Sequence, residues 1–346
     1  MINLQSIKRY VLSLIVVFIA IALVGCKTPN ENLGGYDYTD LSVRDYISKN
    51  GSVAAANPYA AKAGLDILKA GGNAFDAAVA MSFALGVVEP NGSGLGGGGI
   101  LVAYDASAGE YISYNFREFV PAAGDASIYP NGAVDLDYGP LSCGVPTQVA
   151  GLITIQKERG VKTRQEVMEP AIDLALNGVP VTPELAQNIN DCFYIIMDSR
   201  SETKDVFTSD GITPLTTGEL LIQKDLAHTL QLISDQGSAG FYQGEVALSI
   251  VNTLAKKGGI ITLDDLEYAM NNYPIVEKPV QGTYHGYDIV SATTPSSGGI
   301  ILLEALNMLE VYGNVGDLEH NSLEYINVVA TAMQLAYGDK RKYIAD

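Results

Sequence analysis

Six of the eight residues from 92 to 99 are glycine, in the run GSGLGGGG. A stretch so free of Cβ atoms loses too much backbone entropy to be the interior of a helix or a strand, so it must be a loop between other elements. The residues before it read as two capped helices. Asn57 can accept a backbone N–H bond, Pro58 suits a first helical turn, and Gly71 offers the left-handed residue that ends such a helix. Asn73 with Asp76 supplies the next cap and a first-turn carboxylate, while Ala74, Ala77, Ala78, Ala80 and Ala84 give that helix a smooth flank for close packing. The residues after the glycines read as a β-hairpin: an apolar strand over residues 100 to 104, a turn over residues 105 to 109, and a returning strand. In that strand Ile112, Tyr114 and Phe116 alternate with Tyr111, Ser113 and Asn115, giving two distinct faces and ending at Arg117.

Gly92, Gly94 and Gly97 also satisfy G-x-G-x-x-G, the spacing of a dinucleotide fingerprint. That motif needs a strand before it and a helix after it, so that the helix N-terminus holds the pyrophosphate; here the order is reversed. A turn accounts for the glycines, and backbone N–H groups facing a reacting oxygen would be the functional alternative.

The rest of the chain reads as helices with caps. Thr163 with Glu166 forms a capping box, Thr182 with Pro183 opens a helix, and Thr262 with Asp265 repeats the box. Helices dominate residues 147 to 271, a strand is expected around residues 287 to 291, a helix from Gly299, and a last long helix over residues 318 to 342. No internal period or low-complexity block interrupts residues 51 to 346, which are read as one continuous body.

The 346 residues are 47% hydrophobic and 17% charged, enough for a buried core without covalent staples. A formal net charge of −18 with no basic patch argues against nucleic acid, whose phosphates would repel this surface. Lys8 and Arg9 precede a thirteen-residue apolar run over residues 11 to 23, too short for a comfortable membrane span and suited to a secretory signal. The run ends in Leu23, Val24, Gly25 and Cys26, which resembles a bacterial lipobox. Residues 1–25 are therefore expected to be a signal peptide and residues 26–50 a tether lipidated at Cys26, placing an exported protein on a bacterial membrane, in the periplasm or at the cell surface. The remaining cysteines, Cys143 and Cys192, are compatible with a disulfide or with two free thiols. His228, His285 and His320 show no ligand spacing, so no metal site is assigned, and no cofactor is expected.

The stretch SVAAANPYAAKAGLDILKAGGNAFDAAVA, together with EPNGSGLGGGG and YNFREFVP, resembles the large subunit of the γ-glutamyltranspeptidases. The likeness continues in order through GVP with Gly151 and Leu152, then FYQGEVA, GGIITLDDLEYA, TPSSGGIILLEALNMLE and MQLAYGDKRKYIAD, covering residues 51 to 346. It implies an α+β fold, the four-layer αββα sandwich of N-terminal-nucleophile hydrolases, incomplete here because the small subunit is missing. It implies transfer of the γ-glutamyl group of glutathione and related compounds to water or to an amino acid. It also matches Arg117 in NFREFVP to the family's arginine for the substrate α-carboxylate, with Glu118 orienting it. A guanidinium grips a carboxylate through two parallel bonds, which fixes the adjoining carbonyl relative to a nucleophile. Read without the resemblance, Arg117 is a strand-end cation paired to its neighbour.

The sequence departs from the family at Thr147 and Gln148, where small residues are common, and at Thr331, Gln334 and Lys340. No segment matches the threonine nucleophile that opens the family's small subunit, and Thr293 and Thr294 read as loop residues before Pro295. No catalytic residue is therefore assigned, and the α-amine-binding groups of the small subunit are missing with the nucleophile. A truncated gene product, a separately encoded partner subunit and a degenerate protein would each account for this; truncation is the expectation. The functional alternatives are a non-catalytic lipoprotein that binds peptides and a related acylase.

Overall fold

The computed structural model describes residues 48–128, 139–198 and 203–344. Cys26, the signal and most of the tether lie outside the described residues. The chain groups into two units, Gly178–Ile222 with residues before Val53, and Val53–Asn177 with Gln223–Asp346.

In the larger unit, helix α1 (Pro58–Lys69) starts where expected, with Asn57 Oδ1 accepting from Tyr59 N at 3.0 Å and Pro58 in its first turn. Helix α2 (Ala74–Val88) opens on a complete capping box between Asn73 and Asp76. Its alanine flank packs on α1, with Ala77, Ala80 and Ala84 buried. Asp76 does more than cap. Wholly buried, its carboxylate also accepts from Val161 N at 3.0 Å, tying α2 to a turn 85 residues on in the chain.

The glycine loop leaves α2 and feeds strand β1 (Gly99–Asp105), which pairs antiparallel with β2 (Glu110–Phe116). Asp105 Oδ1 accepts from Ser107 N, Ser107 Oγ and Ala108 N, closing the turn. Helix α3 (Gln148–Arg159) lies against β2, and its last residue clamps the hairpin. Arg159 Nη1 donates to Asp105 Oδ2 at 2.7 Å and Arg159 Nε to the buried Tyr114 hydroxyl, which donates to Glu158 at 3.1 Å. Strand β2 is two-faced in its chemistry, as its alternation predicts. Both faces are nonetheless buried at its centre: Ser113 is 1% exposed and Asn115 6%, and the Ser113 hydroxyl has no hydrogen-bond partner among the described residues.

Helix α4 (Arg164–Asn177) begins with the Thr163–Glu166 box, Thr163 N donating to Glu166 Oε2 at 2.8 Å. Helices α5 (Lys224–Gln236), α6 (Gly244–Ala255) and α7 (Leu263–Asn272) come next, the last opened by the Thr262–Asp265 box. Asp265 Oδ1 also accepts from Ala122 N at 2.8 Å, which holds the segment after β2 onto α7. Strand β3 (Ile275–Glu277) joins the other edge of β2, giving a sheet in the order β1-β2-β3. Strands β4 (Val280–Tyr284) and β5 (Tyr287–Ser291) form a separate hairpin on which helix α8 (Gly298–Tyr312) packs. The last helix, α9 (Leu323–Tyr343), starts later than the expected residue 318. Asn321 sits at φ +62°, a left-handed stop, and Ser322 Oγ then caps the helix by accepting from Tyr325 N. The core is formed by side chains such as Phe83, Tyr114, Ile155, Met168 and Leu230, all fully buried.

The smaller unit pairs Val179–Pro180 with Leu220–Leu221 and carries three short helices among its described residues, the first, Pro183–Asp191, capped by Thr182 as expected. Cys143 and Cys192 are both free and exposed. No helix of the described residues is long and apolar enough to cross a membrane.

Candidate functional site

Arg117 comes directly after the last residue of β2, and three hydrogen bonds hold the main chain at and around it. Thr147 Oγ1 donates to Phe116 O at 2.5 Å, Val145 N to Phe119 O at 2.9 Å, and Arg117 N to Asn115 Oδ1 at 3.1 Å. Thr147 N and Gln148 N both donate to Gly97 O, so the glycine loop, the start of α3 and the end of β2 form one laced knot. Thr147 is therefore no casual departure from small residues: fully buried, its hydroxyl satisfies the carbonyl that precedes Arg117.

The glycines serve this close approach. An ideal Cβ on Gly98 would lie 2.3 Å from Phe116 O and 2.9 Å from Glu118 N, so any side chain there would push the arginine segment away.

A cleft of about 390 Å³ opens beside this knot, lined among others by Asn115, Arg117, Glu118, Phe119, Tyr273 and Thr294. The Arg117 guanidinium stands 3.5 Å from Glu118 Oε2, with 57% of its side chain exposed. At that exposure the pair holds the guanidinium only loosely, and its donors stay open to a ligand. One wall is aromatic: Phe119 stacks on Tyr273 with ring centroids 5.3 Å apart and planes 6° from parallel, and Tyr268 meets Phe119 edge-on. Burial pushes the Tyr273 phenol up, with Tyr268 adding to it. The loop between β5 and α8 also contributes, through Thr294 and Pro295.

The lining residues carry one cation and the carboxylates of Glu118 and Glu277, with no imidazole, thiol or amine among them. Arg117 is the one group of this lining with the charge to hold an anion, and Glu118 and Glu277 oppose it. His228 lies elsewhere, its Nε2 2.8 Å from Glu245 Oε1 on an exposed helix face, and no group of three metal-ligating side chains occurs among the described residues.

Arg117 and Glu118, the two residues the sequence singles out, line the cleft with Asn115, Tyr273 and Glu277, which carry no such signal. Asn115 lay hidden in the alternation that marked the strand; Tyr273 and Glu277 lie more than 150 residues downstream, with no local signal of contact.

The sequence matches the model of the γ-glutamyltranspeptidase family over residues 60–346. This chain belongs to the γ-glutamyltranspeptidase family. It is 37% identical over 327 residues to a glutathione hydrolase proenzyme of Bacillus subtilis strain 168, a match that takes in 92% of this chain and 53% of the relative. A glutathione hydrolase proenzyme of Escherichia coli K12 is 34% identical, with 86% of this chain and 51% of the relative covered. The chain thus spans about half the length of the curated relatives it matches. Among solved structures, the γ-glutamyltranspeptidase of Helicobacter pylori superposes with a TM-score of 0.82 at 36% identity, covering 87% of this chain and 86% of that one. The transpeptidase enzyme CapD of Bacillus anthracis gives 0.71 at 34% identity, with coverages of 85% and 93%. The expected α+β class holds, and the fold is the γ-glutamyltranspeptidase fold.

Proposed function

We propose that this chain provides the γ-glutamyl-recognition half of an enzyme that transfers the γ-glutamyl group of glutathione and related compounds to water or an amino acid. The observation that carries the reading is Arg117, pinned through its main chain yet open through its guanidinium at the mouth of a cleft. A planar fork held this way suits the α-carboxylate of a glutamyl head, and fixing that end sets the γ-carbonyl at a constant distance from a nucleophile. The threonine nucleophile, whose own α-amine takes its proton, comes with the small-subunit half of the family's protein, which also supplies the groups for the substrate's α-amine. Residues 51–346 act as the large-subunit body, residues 1–25 as a signal, and Cys26 as a lipid attachment point holding the exported protein at a membrane surface.

The test is release of p-nitroaniline from γ-glutamyl-p-nitroanilide by the complete gene product, with Arg117→Ala alongside. The variant is expected to raise KM by orders of magnitude. An unchanged KM, or a wild-type protein that neither turns the substrate over nor binds L-glutamate, overturns the reading. Anchoring is tested by fractionating cells that express Cys26→Ala, which should release the protein from the membrane fraction.

A further inference from the structure

Asn115 stands one pleat before Arg117 at the end of β2 and lines the same cleft, although it is only 6% exposed. Its side-chain oxygen is already engaged, accepting from Arg117 N at 3.1 Å. That bond sets the orientation of the amide. With Oδ1 turned to the main chain, Nδ2 faces the other way, and no acceptor among the described residues takes its hydrogens. The residue lines the cleft, so solvent or a ligand there can take the hydrogen bonds that this donor offers. The surrounding lining explains what kind of ligand group would do so. Phe119 and Tyr273 close one side as an apolar wall, and the guanidinium beside Asn115 offers charged donors to a carboxylate, against the opposing charges of Glu118 and Glu277.

We propose that Asn115 Nδ2 donates to the substrate's α-carboxylate alongside Arg117, so that head-group recognition by this chain is a two-residue clamp; this rests on the γ-glutamyl reading of the cleft. The chemistry is additive in a simple way. A carboxylate offers about four lone-pair positions, the guanidinium fork occupies two, and an amide N–H placed beside it takes a third. Because the same amide also accepts from Arg117 N, it couples the position of the clamp's main chain to the ligand it holds. Asn115 is a binding residue in this scheme and takes no part in proton transfer.

The test is a comparison of two ligands on the complete gene product by titration calorimetry: L-glutamate and its α-carboxamide, which lacks the α-carboxylate. Asn115→Asp removes the donor and keeps the oxygen that Arg117 N needs. It is expected to weaken L-glutamate by about tenfold or more, the worth of one hydrogen bond to a charged group, and to leave the affinity for the carboxamide within a small factor. Asn115→Ala removes the donor without adding a charge and must show the same selective loss, since a loss confined to a charged variant is charge repulsion and overturns the inference. Thermal unfolding of each variant checks the fold. Should the Asp variant lose its melting transition, Asn115→Ser, with a shorter acceptor for the same N–H, carries the comparison. Equal losses for both ligands, or no loss for L-glutamate, overturn the inference. Arg117→Ala separates the two levels: if it abolishes the preference for L-glutamate while Asn115→Asp does not alter it, only the role of Asn115 falls. If neither variant changes the preference, the carboxylate reading of the cleft falls with it.

Discussion

The ring of Phe116 fills the space that a side chain on Gly151 would need: an ideal Cβ on Gly151 would lie 2.3 Å from Phe116 Cγ and 2.7 Å from its Cβ. Helix α3 can therefore approach β2 closely enough for Thr147 to reach the carbonyl before Arg117. Gly151→Ala would gain roughly 1 kcal/mol of helix propensity and lose more to overpacking, because the clashing atoms are the root of the ring and not a mobile tip. The expected net loss is about 1–2 kcal/mol, read as a lower urea midpoint. An unchanged midpoint would show that α3 shifts without cost.

Ser113 presents the opposite case, a buried hydroxyl on the central strand with no partner among the described residues. Removing an unsatisfied polar atom without leaving a large void relieves a desolvation penalty of roughly 1–3 kcal/mol, less the small cavity. Ser113→Ala is expected to stabilise by about 1 kcal/mol, seen as a raised urea midpoint at constant slope. A destabilised variant would mean that the hydroxyl has a partner in solution.

Acid should loosen the hairpin that delivers Arg117. The Ser107 hydroxyl, chiefly, with the N–H groups of Ala108 and Ser107 and the Arg159 guanidinium, outweighs burial and holds the Asp105 carboxyl down from 3.8 to about 2. A folded pKa below the unfolded one means that the stabilisation is complete above pH 3.8 and is lost as pH falls from there towards 2. Protection of the Ser107 and Ala108 amides, measured relative to their intrinsic exchange rates, should fall through that window, and Asp105→Asn should remove most of that change. Protection that stays flat between those limits would refute the assignment.

Arg117→Lys should recover only part of what Arg117→Ala loses. Lysine restores the charge but not the planar fork, so KM for γ-glutamyl-p-nitroanilide is expected to fall between those of wild type and the alanine variant, with kcat less affected. Full recovery would mean that the cleft needs a point charge and no bidentate geometry.

Every cap expected from sequence is in place: Asn57, the boxes Asn73–Asp76, Thr163–Glu166 and Thr262–Asp265, and Thr182. Each rests on atoms two or three residues apart, which is the range over which local sequence dictates geometry. The hairpin was legible for the same reason, its turn closed by Asp105 and its strands by alternation.

Helix α9 starts later than residue 318 because the left-handed angle at Asn321 interrupts the chain, and nothing in residues 318–320 signals that angle. Nothing local marked the second partners of Asp76 and Asp265, each of which ties its cap to a distant backbone N–H.

The amino-acid sequence by itself determined the helices, the hairpin, the glycine loop and, through its ordered motifs, the family and Arg117 as the candidate clamp. Only the tertiary structure decided that Tyr273, Glu277 and Thr294 join Arg117 around one cleft, that Thr147 braces the arginine's neighbour, and that Asn115 turns its donor away from the main chain. The physical reason is range: hydrogen bonds within a turn are specified by adjacent residues, whereas the pairing of β2 with β3 and the stacking of Phe119 on Tyr273 depend on packing the whole unit.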